Sequence, residues 1–92
     1  MMLPAFEIGM LQLLHNAYQL GRGRGYLPGT FAVVLLPDAK MGIAALADVS
    51  TWGTHAELLD YALERGQVPV LAMEDGAYMV AGCFRPPAEV LN

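Results

Sequence analysis

Charged side chains are scarce in this chain, and basic ones are the scarcer. Aspartate, glutamate, lysine and arginine make up 15% of the 92 residues, against a usual share of about 25%. Nine acidic and five basic residues give a formal net charge of −4. Sequence-independent binding to nucleic acid needs a basic face that displaces counterions. The charge balance therefore argues against nucleic acid as a partner.

Cysteine occurs once, at Cys83, so the chain cannot form an intramolecular disulfide bond. A small secreted scaffold stapled by disulfides is thereby excluded. The usual setting for such a chain is a reducing compartment, and we expect a cytoplasmic protein.

Long apolar runs are also missing. The most apolar charge-free stretch is residues 26–37, which is 12 residues long, contains two prolines and is shorter than the roughly 20 residues of a membrane-spanning helix. Residues 1–21 carry no lysine or arginine before their apolar run and include Glu7, so we expect no secretory signal. These features predict no membrane association.

Apolar residues are abundant, at 55% of the chain. A domain of this size buries only a little over ~60% of the surface that its unfolded chain exposes. More apolar side chains are therefore present than a lone domain buries comfortably. We interpret the surplus as a second apolar surface, covered by a copy of the same chain or by another partner.

The hydrophobic pattern predicts one α+β domain with the element order α-β-β-α-β-β. Asp75 and Gly76, between two apolar runs, are typical of a type I′ hairpin. We expect a four-stranded, mostly antiparallel sheet with two helices packed on one face. The other face of the sheet would then be the apolar surface that needs cover. The domain spans residues 1–92, with an ordered core over 4–84 and a loose tail over 85–92. The expected helices are 4–20 (with Pro4 in the first turn) and 55–65, and the expected strands are 30–36, 42–49, 68–73 and 77–84.

Four residues are candidates for an interface. Leu11 and Tyr18 belong to a second apolar stripe on the first helix, which indicates burial on more than one side. Trp52 stands beside a glycine in a loop, where it either fills the edge of the domain or anchors a partner. Met79 lies in the last strand and suits an adaptable contact.

A glycine–arginine segment, residues 21–25, is the candidate anion site. It ends the first helix, and Arg22 and Arg24 together with glycine N–H groups suit a phosphate. Tyr26 follows as a possible stacking platform. The alternative is a solvated loop in which the arginines serve solubility.

Thr54 and Glu57 fit a capping box at the start of the second helix. The same segment contains His55 and resembles the His-x-Glu motif of zinc-dependent nucleoside and nucleobase deaminases. That resemblance implies His55 as a zinc ligand and Glu57 as the acid/base. The family's Pro-Cys-x-x-Cys half is missing, because Cys83 is the only cysteine. Two protein ligands are fewer than the three of a catalytic zinc site.

The spacing of His15, His55 and Cys83 does not indicate a nucleophile with its base. We therefore expect no catalytic residue, no metal site and no cofactor. The preferred hypothesis is a small non-enzymatic interaction module, such as an adaptor, a regulator, an inhibitor or an accessory protein of a mobile element. It would form a homodimer or larger assembly and bind a protein partner. The alternatives are a small-molecule or anion-binding domain and, more remotely, a degenerate deaminase-like domain.

Overall fold

The fold was determined as a computed structural model that describes residues 6–87. It confirms the predicted α+β class and the element order α-β-β-α-β-β. In chain order the elements are α1 (Ile8–Gly23), β1 (Phe31–Leu35), β2 (Met41–Ala45), a short 3₁₀ helix (Leu46–Asp48), α2 (Thr54–Glu64), β3 (Val68–Glu74) and β4 (Ala77–Phe84).

The four strands form one mixed sheet in the order β2-β1-β3-β4. β1 pairs with β2 and β3 pairs with β4 in antiparallel hairpins, whereas the central pair β1 and β3 is parallel. The sheet is therefore mostly antiparallel, as predicted. Because β2 and β4 are its two edges, the surfaces that flank them lie at opposite ends of the sheet.

The second hairpin has the predicted turn. Asp75 and Gly76 both have positive φ, 49° and 78°, as a type I′ turn requires. The second strand of the first hairpin ends earlier than the predicted 42–49, because the chain leaves β2 after Ala45 and enters the 3₁₀ helix.

Helix α1 runs further towards the C-terminus than the glycines suggest. The predicted end at Gly21 is wrong, because the helix continues to Gly23. Gly21 is buried, and a Cβ added there would lie 2.5 Å from the Phe31 ring. Glycine is thus needed here for close packing against β1. The predicted start, including Pro4, lies outside the described residues.

Helix α2 begins at Thr54, with Gly53 as its N-cap residue. The predicted capping box is wrong, since Thr54 is the first helical residue and no side chain caps the helix. The C-terminal end behaves as predicted for a glycine stop. Gly66 has φ 67°, its N–H bonds the Leu63 carbonyl, and the next N–H bonds the Ala62 carbonyl, which is a Schellman motif.

The main core lies between α1 and the sheet. Leu14 and Tyr18 pack against Phe31 and Phe84, and all four are buried. The Tyr18 ring stacks on the Phe31 ring at 5.3 Å and meets the Phe84 ring edge-on at 6.5 Å. These contacts fix the orientation of α1 and so determine which of its residues face outwards.

The opposite face of the central strands is also buried within this chain. Ala32, Val34 and Leu71 form a second cluster there, and Leu46 and Val49 from the segment after β2 pack against it. We expected this face to be the apolar surface that needs a partner, and over the central strands it is not. Both helices pack on the sheet, α1 against β1 and β2 and α2 against β3 and β4.

Within residues 6–87, no helix combines the length and the apolar character needed to cross a membrane.

Candidate interaction surfaces

The first candidate surface is the outer edge of β4. This strand has eight residues, none of them charged, and within residues 6–87 only one of its sides is paired, with β3. The Met79 side chain is 40% exposed. The pairing is irregular between Val70 and Leu71, where β4 carries a bulge. An unpaired, charge-free edge offers a row of backbone N–H and C=O groups to another strand.

Trp52 lies beside the start of this edge and is 82% exposed. It shares a cavity of about 420 Å³ with His55, Tyr78 and the hairpin residues Gly76 and Ala77. At this exposure the Trp52 ring does not fill the edge of the domain, which was one of its two interpretations. We define Trp52, Tyr78 and Met79 as the edge surface.

The second candidate surface is a stripe on α1 that faces away from the core. It consists of Gly9, Leu13, Asn16, Leu20 and Gly23, all of them exposed. Leu13 and Leu20 lie on the same helix face and are 54% and 53% exposed. We define these five residues as the helix seam.

A shallow groove follows the helix seam. Leu13, Asn16 and Leu20 line it on the helix side, and Ala39 and Met41 line it on the side of the β1–β2 turn. Its volume is about 280 Å³. The helix seam thus lies towards the β2 edge, at the other end of the sheet from the edge surface.

Charge is absent from the outward face of α1 over most of its length. Between Ile8 and Gly21 there is no aspartate, glutamate, lysine or arginine. The exposed polar residues of this stretch are the amides Gln12, Asn16 and Gln19, and the side-chain amide of Gln12 donates to Asn16 Oδ1 at 3.1 Å. Desolvating this face therefore costs less than desolvating a face with ionised groups.

Two of the predicted interface residues lie elsewhere. Tyr18 is 2% exposed and belongs to the main core, which leaves its side chain no contact with a partner in this conformation. Leu11 is half-buried and packs against the same core. Both assignments came from the stripe of α1 that faces the sheet. Trp52 and Met79 are the two predicted residues that lie on a surface.

The glycine–arginine segment is more structured than a solvated loop. Arg22 Nη1 donates to the Tyr26 carbonyl oxygen, and the Tyr26 ring packs at 5.4 Å from the Phe31 ring. Arg24 is exposed and is the C-cap residue of α1. The Arg22 contact and the half-buried Tyr26 ring tie the segment to the core. Binding an anion with both arginines would compete with the Arg22 contact.

The residues of the deaminase-like motif do not form a metal site. Among the described residues, no group of three or more histidine, cysteine, aspartate or glutamate side chains could hold a metal ion. His55 lines the cavity beside Trp52, whereas Cys83 Sγ donates to Gln67 Oε1 at 2.6 Å. Burial raises the pKa of the Cys83 thiol, and the nearby Arg65 charge lowers it by less. His15 Nε2 lies 3.2 Å from the Arg85 carbonyl oxygen, and its ring lies 5.4 Å from the Phe84 ring.

Sequence reasoning missed the helix seam. The signal was present as spacings of four, three, four and three residues from Gly9 to Gly23. Glycine and asparagine at these positions are not apolar, so a search for apolar stripes passes over them. Only the packing of Leu14 and Tyr18 against the sheet reveals which face is left outside.

Comparison with known protein families, with characterised proteins and with solved structures gave no match to this chain.

Proposed function

We propose that this protein is a small non-enzymatic interaction module that associates with itself and binds a protein partner. The observation that carries the proposal is the edge surface. It combines a charge-free edge strand, which carries the exposed Met79, with the exposed Trp52 beside the start of that strand. Tryptophan is enriched among the residues that dominate binding energy at interfaces.

The geometry of the edge surface suits an extended segment of the partner. A strand added beside β4 would form hydrogen bonds with its outer backbone groups, and the main chain would supply much of the affinity. Trp52 and Met79 would then give specificity, because they contact side chains of the added strand. The bulge in β4 limits the length of regular pairing, since it twists the edge locally.

The two candidate surfaces do not compete for space. The edge surface lies along β4 and the helix seam lies towards β2, with β1 and β3 between them. One surface is thus available for a second copy of the chain while the other binds a partner. This arrangement suits an adaptor or a regulator.

The proposal is tested by comparing what the protein captures from an extract of its source cells. The test variant combines Trp52→Ala, which removes the anchor, with Met79→Lys, which places a charge on the β4 edge. The control is Leu27→Ala, which removes another exposed apolar side chain from the loop before β1. Bound proteins are identified by mass spectrometry.

We expect a protein that is retained by the unmodified chain and by Leu27→Ala and is lost by the double variant. Circular dichroism checks that the double variant is folded. An identical set of bound proteins for all three chains would contradict the role of the edge surface.

A further inference from the structure

We infer that two copies of this protein pair through their α1 helices, in antiparallel orientation, around a two-fold axis close to Asn16. The inference rests on the self-association in the proposed function and names the surface that performs it. The helix seam supplies the contact, and a second copy of the same chain is the occupant.

The spacing of the helix seam is that of a helix–helix contact. Its residues follow one another at intervals of four and three, which is the heptad pattern that keeps one stripe facing a partner helix. Helix α1 has 16 residues and is about 24 Å long at 1.5 Å per residue. The seam covers nearly all of that length, so the whole helix can lie against its copy.

The pattern is close to symmetric about its centre. The helix seam has a glycine at each end (Gly9 and Gly23), a leucine inside each glycine (Leu13 and Leu20) and Asn16 at its centre. In an antiparallel pair each Leu13 therefore faces Leu20 of the other copy, and the two Asn16 side chains meet. An asparagine at the centre of such a contact fixes register through its hydrogen bonds, at a cost in affinity. A two-fold contact needs this kind of self-complementary patch.

The charges at the ends of α1 favour the antiparallel orientation. Glu7 precedes the first turn, Arg22 lies in the last turn, and Arg24 caps the C-terminus. Antiparallel pairing brings Glu7 of one copy towards Arg24 of the other, and it also aligns the two helix dipoles favourably. Parallel pairing would instead place like charges side by side at both ends.

Space is available for the partner helix. Within the described part of the chain, a Cβ added at Gly9 or Gly23 would meet no atom of another element within 4 Å, so these glycines leave the backbone open to close approach. In the middle, the groove beside Leu13 and Leu20 can receive the leucines of the other copy. Because a contact built from one helix is small, we expect a weak dimer that dissociates on dilution.

The orientation is tested by cysteine crosslinking in a chain that also carries Cys83→Ser. Three single variants are made on the seam, Leu13→Cys, Asn16→Cys and Leu20→Cys. Glu64→Cys, on the exposed face of α2, is the matched control. Each protein is oxidised alone, the Leu13→Cys and Leu20→Cys proteins are also oxidised as a mixture, and products are separated on non-reducing gels. The mass of each uncrosslinked protein is measured in parallel by light scattering.

Antiparallel pairing predicts a covalent dimer for Asn16→Cys alone, because its two copies meet near the axis. It also predicts a heterodimer band in the mixture that exceeds the bands of Leu13→Cys or Leu20→Cys alone. Within one dimer, the two Leu13 positions lie about 10 Å apart along the axis at 1.5 Å per residue, and disulfides need Cα atoms within about 7 Å. The control gives no dimer.

Efficient crosslinking of Leu13→Cys with itself, and not with Leu20→Cys, would overturn the antiparallel orientation. A dimeric mass without crosslinking at any seam position would overturn the helix seam while leaving self-association in place. A monomeric mass of the unmodified chain at every concentration would overturn self-association itself, and with it this inference.

Discussion

The two helices of this protein expose very different surfaces. Helix α2 has Glu57, Asp60 and Glu64 on its outward side, all exposed, and its C-cap Arg65 lies over the Tyr61 ring at 3.5 Å. Helix α1 instead exposes Leu13 and Leu20 with uncharged amides between them. Ionised groups on a helix face favour contact with water, and their absence lowers the cost of covering it. Within residues 6–87, α1 is therefore the helix whose outward face is uncharged and carries exposed leucines.

The helices also differ in how firmly they are anchored to the sheet. Helix α1 inserts Leu14 and Tyr18 fully into the main core, whereas α2 has Ala62 as its one buried residue. The more deeply anchored helix is thus also the one with the apolar outward face. A rigid helix loses little conformational entropy when it binds, which favours its use as a contact surface.

The largest expected effect concerns this anchoring. Leu14→Ala should lower the free energy of unfolding by about 3 kcal/mol, because it leaves a cavity in the closed core. Leu59→Ala removes the same atoms from the half-buried side of α2 and should cost roughly half as much. Urea unfolding measures both. Equal losses would show that the two helices are anchored equally.

The next largest effect is expected on self-association, when a charge is changed on the outward face of α1 or of α2. Leu20→Lys should weaken self-association at least tenfold, since a dimer would bury an unpaired charge. Glu64→Lys makes a larger change of charge on α2 and should leave the dimer dissociation constant unchanged. Sedimentation equilibrium gives both constants. A similar weakening by both variants would mean that overall charge, and not the helix seam, controls association.

How far the sequence predicts this structure depends on the range of the interactions involved. Asp75-Gly76 and Gly66 act through their own backbone angles, and both were placed correctly from local pattern. The prediction that α1 ends at Gly21 is wrong, because the ring that requires a glycine there belongs to Phe31 in strand β1. A local pattern around Gly21 does not show that contact. Tyr18 was misassigned as an interface residue for the same reason, since its burial depends on Phe31 and Phe84.

Glycine-to-alanine substitutions at the two helix ends should have smaller effects on stability, and these effects should have opposite signs. Gly66→Ala should destabilise the protein by about 1 kcal/mol, because φ 67° is unfavourable for alanine. Gly23 is the last residue of α1, and a Cβ there would meet no other element within the described residues, so Gly23→Ala should stabilise the monomer by roughly 0.5 kcal/mol. Thermal unfolding at low concentration checks both signs. Destabilisation by Gly23→Ala would show that the last turn of α1 is not helical in solution.

The two arginines at the end of α1 should differ slightly. Arg22→Ala removes the hydrogen bond to the Tyr26 carbonyl and should cost about 1 kcal/mol. Arg24→Ala, at an exposed position, should stay within about 0.5 kcal/mol of the unmodified chain. Urea unfolding distinguishes them. Equal values would remove the structural role that we assign to Arg22.

The smallest effect is the pH dependence due to Cys83, near the end of α2. Since burial raises the pKa of this thiol in the folded chain, the unfolded thiol ionises first as pH rises. The contribution to stability is therefore fully present at neutral pH and is lost across the alkaline range. Unfolding midpoints of the unmodified chain and of Cys83→Ala should converge as pH rises from 7 to the alkaline range. If the two midpoints changed in parallel with pH, the raised pKa of the Cys83 thiol would be contradicted.

The central claim is that this chain associates with itself, and its mass in solution tests that claim most directly. Light scattering behind a sizing column, across a dilution series, should give a mass near twice 9.9 kDa at high concentration. On dilution the mass should fall towards that of one chain. A constant 9.9 kDa at every concentration would contradict self-association and leave the apolar face of α1 without a second copy to cover it.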